Sequence, residues 1–234
     1  MEAKKRLSKV LAAASVASRR ASEELIFNGK VKVNGSVVLV PQTLVSVETD
    51  EILVHNRRLY CEDKKVYYIL NKPTGYICST KDVSGKRLVL DLFAPLKLRL
   101  FTVGRLDRDT TGLLIVTNDG HFAQKVIHPS ANLVKEYLVK TTKEVSPEHL
   151  LSIAEGTLIE GTWIKPFKVT KVRRGTLKVA VKEGKKREVR LLVEKAGLEI
   201  NSLARIRIGG LQLGSLPVGM WREMTDSEKK QLFS

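Results

Sequence analysis

The sequence predicts an α+β protein: a small N-terminal helix-helix-hairpin module, then a larger domain built on a mixed, largely antiparallel sheet. Three observations carry this expectation. Within the first 60 residues, helical periodicity gives way to an Asn-Gly hairpin signal. A polar stretch, Tyr60-Cys61-Glu62-Asp63-Lys64-Lys65, then interrupts the chain. Beyond it, short apolar runs outnumber amphipathic segments and do not alternate strictly with them, which favours α+β over a βαβ sheet.

The first module covers residues 1–60. Leu7, Val10, Leu11 and Ala14 recur at helical spacing. Ser18 is suited to cap a second helix with apolar positions Ala21, Leu25 and Ile26, and Gly29 to end it. Residues 31–38 alternate around Asn34-Gly35, the dipeptide of two-residue hairpin turns. The polar stretch reads as a hinge. The second domain covers residues 66–234. Its expected strands are 67–70, 113–117, 137–140, 167–172 and 176–181. Its expected helices are 121–127, 147–154, 187–195 and 226–232. Ser146 before Pro147 reads as a cap with a first-turn proline, and Thr225 with Glu228 as a capping box.

The chain of 234 residues is long enough for both cores. Its formal net charge is +16 and its pI about 9.9. Such a field draws polyanions, nucleic acid before an acidic membrane surface. No apolar run approaches the roughly 20 residues of a membrane span. Met1-Glu2-Ala3-Lys4-Lys5-Arg6 leads into an Ala/Ser-rich segment with Arg19 and Arg20, not into the apolar core of a signal peptide, so a cytoplasmic protein is expected. Cys61 and Cys78 stand outside any C-x-x-C pattern and are expected to be reduced and structural. The four histidines are scattered, and no Walker or Rossmann glycine pattern occurs. No metal and no cofactor are expected.

The most informative stretch is Gly104-Arg105-Leu106-Asp107-Arg108-Asp109-Thr110-Thr111-Gly112. It sets two aspartates among arginines. An apolar run, Leu113-Leu114-Ile115-Val116, follows and ends at Asn118-Asp119-Gly120. This reads as a polar loop tied to a buried strand, where a reactive side chain is held firmly. A carboxylate between guanidiniums is expected to stay ionised at neutral pH, which suits a nucleophile or charge stabiliser better than a general acid. Read alone, the stretch fits a surface turn with local ion pairs better, since structural ion pairs are common.

Four further stretches remove that ambiguity. Gly104-Arg105-Leu106-Asp107 with its apolar sequel resembles the central motif of the pseudouridine synthases, and most closely the RsuA-type family that modifies bacterial ribosomal RNA. Asn71-Lys72-Pro73-Thr74-Gly75-Tyr76 resembles the first motif of that family, and Lys135-Glu136-Tyr137 its K-x-Y segment. Residues 183–190 resemble the third motif, and Ile208-Gly209-Gly210-Leu211 lies near the C-terminal signature. The resemblance implies that Asp107 is the catalytic carboxylate, with Asp109 the internal competitor. It implies that Tyr137 stacks under the target base and takes part in proton transfer, and that Arg190 pairs with Asp107. Arg105 then fills the space left by the flipped base or contacts phosphate. Lys185, Lys186 and Arg187 lie at a helix N-terminus suited to RNA phosphates. Glu188 stands where the family usually has Gln.

The first module resembles the RNA-binding domain first seen in ribosomal protein S-four, through residues 6–11, 17–20 and 29–35. Eight of the first 32 residues are Lys or Arg against three Glu. Arg6, Lys9, Arg19, Arg20, Lys30, Lys32 and Asn34 are the expected RNA contacts. The resemblance implies an rRNA pseudouridine synthase acting on 23S rRNA, as free RNA or in an assembling subunit, as a monomer and away from membranes. His128-Pro129-Ser130 favours the RluB-type, large-subunit enzymes over those acting on 16S rRNA. A non-catalytic ribosome-assembly factor would share the basic module. A glycoside hydrolase would share an aspartate at a sugar carbon, but that chemistry normally uses two carboxylates.

Overall fold

In the computed structural model, which describes residues 4–14, 16–59, 64–79 and 85–234, the chain divides into two compact units, Met1–Lys65 and Val66–Ser234. Cys61 and residues 60–63 of the expected hinge lie outside the described residues. No described helix is long and apolar enough to cross a membrane.

In the first unit, β1 (Lys5–Arg6) runs into α1 (Leu7–Ala13), which buries Leu7, Val10 and Leu11 on one face. The α2 helix (Arg19–Phe27) starts at Ser18, whose Oγ accepts from the Ala21 amide at 3.2 Å. The strands β2 (Val31–Val33) and β3 (Ser36–Val37) form the expected hairpin. Asn34 and Gly35 both take positive φ, 51° and 82°, as a turn matching the strand twist requires. Next, β4 (Leu44–Val45) pairs with β1, β5 (Ile52–Val54) with β2, and β6 (Arg57–Arg58) with β5. The core joins Leu7, Val10, Leu11, Ile26, Val31, Val45, Ile52 and Val54. Each such burial contributes about 1.5–3 kcal/mol.

The second unit begins with β7 (Tyr67–Lys72), a 3-10 segment (Val89–Leu96), β8 (Phe101–Val103), β9 (Thr111–Thr117) and α3 (Gly120–Ile127). It continues with β10 (Lys135–Thr141), α4 (Pro147–Glu155), β11 (Thr157–Ile159), β12 (Thr162–Ile164), β13 (Lys168–Arg173) and β14 (Thr176–Val181). Then come α5 (Glu188–Lys195), β15 (Ile200–Ile208), β16 (Leu211–Gln212), β17 (Trp221–Glu223) and α6 (Asp226–Gln231). A nine-stranded sheet runs β13-β14-β10-β15-β9-β7-β17, with β16 on β15 and β8 on β9. Every pairing is antiparallel except β9 with β15.

The run 113–116 is apolar throughout because β9 is buried on both faces. Leu113 and Ile115 join one core with Ile69, Val103 and Ile208, while Leu114 and Val116 join another with Tyr68, Leu70 and Phe93. A third core, under β10 and β14, holds Val139, Leu177, Val179, Leu192 and Val193. The expected strands and helices all form, with ends shifted by a residue or two. The expectation lacked β15, the longest strand. It alternates poorly because Arg205, 3% exposed, sits at a buried position.

Candidate active site

Strand register assembles the site. Across the sheet, Tyr137 on β10 stands opposite Arg205 on β15, Arg205 opposite Gly112 on β9, and Gly112 opposite Lys72 on β7. Directly opposed residues share a face, so Tyr137, Arg205 and Lys72 lie on one side of the sheet. Gly112 is required in this row. Its φ is +106°, and a Cβ there would collide with the backbone of Arg205. Its absence allows β9 and β15 to close.

Residues 104–110 form a loop held at several points. Lys72 is 0% exposed. Its Nζ donates to the carbonyls of Pro73 at 3.0 Å, Asp107 at 3.0 Å, Arg108 at 3.2 Å and Thr110 at 2.9 Å. Burial pulls the Lys72 ammonium below the ordinary lysine range, and Cys78, Asp109 and Asp107 oppose that shift. Four carbonyls can only accept, so the fully protonated amine is the form that matches them. Arg205 donates Nε to the Leu113 carbonyl at 2.8 Å and Nη1 to that of Arg105 at 3.5 Å, on either side of the loop. Cys78 Sγ lies 3.5 Å from both N and O of Leu106, and the Gly75 amide donates to the Arg108 carbonyl at 2.9 Å. Leu106 and Thr110 are buried, while Arg105, Asp107, Arg108 and Asp109 are exposed. The loop therefore presents its charged side chains outward from a fixed backbone.

Arg190, on α5, reaches the same loop, but the expected ion pair with Asp107 does not form. Its Nη2 donates instead to the Asp109 carbonyl at 3.1 Å and to Thr110 Oγ1 at 3.2 Å. Among the described residues it thus braces the backbone beyond Asp107 rather than the carboxylate. Tyr137 is half-buried and packs against two cores at once, so it is anchored yet still accessible.

The segment before α5 is held by the half-buried Lys135 and the buried Glu188. Lys135 Nζ donates to the carbonyls of Lys182 at 3.1 Å and Glu183 at 3.2 Å. Burial lowers its pKa, the nearby Arg205 guanidinium adds to this, and Glu188 opposes it. Glu188 Oε2 accepts from the Lys185 amide at 3.1 Å, and burial raises its carboxyl above the usual range. Lys185, Lys186 and Arg187 precede the helix as expected, all exposed. Lys185 pairs with Glu183 at 3.0 Å and Arg187 with Glu194 at 3.6 Å.

In the first unit, Arg6, Lys9, Arg19, Arg20 and Lys30 are exposed and Lys32 is half-buried. Arg19 lies 3.9 Å from Glu23. Asn34, also an expected RNA contact, is exposed on the hairpin turn. Its Nδ2 donates to Asp50 at 3.0 Å and its Oδ1 accepts from the Glu51 amide at 2.9 Å, so its amide serves the hairpin.

The family model for RNA pseudouridylate synthases matches residues 66–195, which carry the loop, Tyr137 and Arg190. This chain belongs to the RNA pseudouridylate synthase family. The S4 domain model matches residues 5–52 of the same chain. Among synthases of known sequence, it is 39% identical to ribosomal large subunit pseudouridine synthase B of Bacillus subtilis, over 97% of this chain and 95% of that protein. It is 48% identical to the putative chloroplastic ribosomal large subunit pseudouridine synthase SVR1 of Arabidopsis thaliana. That match covers 99% of this chain but 61% of the plant protein, so the chain spans less than two thirds of that relative. A crystal structure of a pseudouridylate synthase superimposes with a TM-score of 0.70 at 31% identity, covering 97% of this chain and 99% of that one.

Two residues that hold this loop were not among the expected site residues. Lys72 carried a usable signal, a lysine ending an apolar run directly before a proline. Arg205 carried none, because its strand was itself not expected.

Proposed function

We propose that this protein is an rRNA pseudouridine synthase that isomerises a specific uridine of 23S large-subunit rRNA. The observation that carries the reading is the outward-facing Asp107 on a loop fixed to Lys72, Arg205 and Arg190, beside the accessible Tyr137. Pseudouridine formation breaks the bond between uracil N1 and C1′, turns the base, and joins C5 to C1′. N1 gains a proton and C5 loses one. An exposed carboxylate on a rigid loop can act at the sugar, and its ionised form matches the electron-poor carbon.

Tyr137 offers an aromatic surface on which a flipped uracil stacks. The Arg105 side chain is exposed, with no hydrogen bond or ion pair among the described residues, and can enter the space the base leaves or meet a phosphate. Arg190 keeps the loop in place. The S4 unit, with Arg6, Lys9, Arg19, Arg20, Lys30 and Lys32, holds the RNA backbone, as do Lys185, Lys186 and Arg187 beside the site. The names of the Bacillus and Arabidopsis relatives support the large-subunit choice. The protein works as a monomer in the cytoplasm, where the RNA and assembling subunits are.

Asp107→Asn tests this directly. The amide keeps the shape of the side chain and loses its charge. Tritium release from 5-tritiated uridine in 23S rRNA should fall to background, with folding and RNA binding close to wild type. Asp109→Asn should retain turnover. A working Asp107→Asn enzyme, or a dead Asp109→Asn beside it, would overturn the assignment.

A further inference from the structure

The β11–β12 hairpin and the segment leading into β13 carry surface aromatics that the proposed site does not use. Trp163 is 62% exposed and Phe167 57%. Scattered apolar residues on a surface are ordinary, but these two rings are held in place. Trp163 Nε1 donates to the Glu155 carbonyl at 3.2 Å, and Leu158, opposite it on the hairpin, is also exposed. The Phe167 amide donates to the Ala180 carbonyl at 2.7 Å, and Lys182 Nζ lies 4.7 Å from the Phe167 ring centroid. Ile164 and Pro166 are buried between them and fix the intervening chain.

The charges around these rings are one-sided. Lys165, Lys168 and Lys182 are exposed and have no ion-pair partner among the described residues. Between residues 157 and 182 the sole acidic residue is Glu160. Aromatic faces interleaved with ammonium groups that have no carboxylate partner among the described residues suit unpaired RNA, whose bases stack on the rings while its phosphates meet the lysines. A protein partner of apolar character would be poorly served by so many unpaired charges.

The surface is continuous with the site along the chain. The Lys182 carbonyl accepts from Lys135, two residues before Tyr137 on β10, and the segment from Lys182 leads through Lys186 to α5 and Arg190. Phe167 lies four positions after Trp163, so their Cα atoms are at most about 14 Å apart, a span for a short run of nucleotides.

We propose that Trp163 and Phe167, with Lys165, Lys168 and Lys182, form a second RNA-binding surface that holds an unpaired segment flanking the target uridine. This rests on the reading of the protein as an RNA-modifying enzyme, but it concerns binding rather than chemistry. Full-length protein carrying Phe167→Ala, Trp163→Ala, or Lys168→Gln with Lys182→Gln would be titrated with an rRNA fragment that spans the target and its single-stranded flank. Affinities would be measured across a salt series. Each aromatic variant should bind about 5- to 20-fold more weakly with an unchanged salt slope, since stacking does not release counterions. The double lysine variant should flatten the slope by about 0.7 for each phosphate it no longer neutralises. Trimming the unpaired flank from the RNA should erase the difference between the aromatic variants and wild type.

Wild-type affinity and slope in every variant, with Asp107→Asn still inactive, would overturn the surface and leave the proposed function standing. The same would follow if the aromatic variants changed only the protein's own association, seen by light scattering. If wild-type protein neither bound nor modified rRNA, the proposed function would fall as well.

Discussion

Tyr137 carries two proposed roles that single substitutions separate. Tyr137→Phe keeps the stacking face and loses the hydroxyl, while Tyr137→Ala loses both. Stacking on an aromatic ring is worth roughly 1–3 kcal/mol, so the alanine variant should lose both capture of 5-fluorouridine RNA and turnover. The phenylalanine variant should bind the base and turn over slowly. Full activity in Tyr137→Phe would remove the proton-transfer role, and full activity in Tyr137→Ala would return this residue to the core it partly fills. Glu188 offers a test of a different kind. Its carboxyl is raised by burial above its ordinary 4.5. A raised folded value means that stability present below 4.5 is lost as the pH climbs through that value and the buried group ionises. Glu188→Gln keeps an acceptor for the Lys185 amide without the charge. At neutral pH it should raise Tm by roughly 2–4 °C, about 1 kcal/mol for a chain of this size. The gain should shrink as the pH falls through the raised folded value toward 4.5 and be absent below it, and a variant less stable at neutral pH would show that the charge is needed by Lys135. At this scale the fixed loop before β9 was legible because its residues form a recognisable word. Arg205 acts through backbone carbonyls, which leave no pattern in side-chain order, whereas Lys72 stands in view as the lysine that ends an apolar run before Pro73.

At the scale of elements, caps and turns were the most legible features because their chemistry is local. Ser18, Ser146 and Thr225 each accept a backbone amide where the sequence placed a helix start. The same Thr225 cap shows how one element resists acid. Glu228 Oε1 and Oε2 lie 2.6 and 2.9 Å from the two terminal nitrogens of Arg222, and the Thr225 amide donates to Oε2 at 2.9 Å. Arg222 and this amide hold the Glu228 carboxyl down at about 2. A depressed folded value contributes stability above 4.5 that is lost as the pH falls toward 2. Glu228→Gln should therefore lower Tm by a few degrees at neutral pH, with the difference narrowing in melts taken from pH 5 down to 3. A constant difference across that range would mean that the ion pair is not its source. The strand β15 was illegible for the opposite reason. Its conformation is set by neighbours on both sides in the sheet rather than by its own alternation, and a buried arginine breaks its apolar pattern.

At the scale of the whole molecule, the boundary near residue 65 was legible from a polar stretch, and each unit has its own core. Deleting residues 1–65 should leave the second unit folded. Its rRNA affinity should fall, and its salt dependence should become shallower by about 0.7–0.9 for each phosphate that the S4 unit had neutralised. Unchanged affinity and slope would show that the S4 unit does not anchor the RNA. What the sequence hid was how the second unit closes. The parallel pairing of β9 with β15 brings Leu113 onto Arg205, 92 positions later in the chain. That separation has a consequence in time. At roughly 5–20 residues per second of synthesis, some 5–18 seconds pass between the emergence of the loop and the emergence of the strand on which it rests. Through that interval the nascent chain carries Asp107 without its Arg205 support, on a ribosome made of the kind of RNA it is proposed to modify.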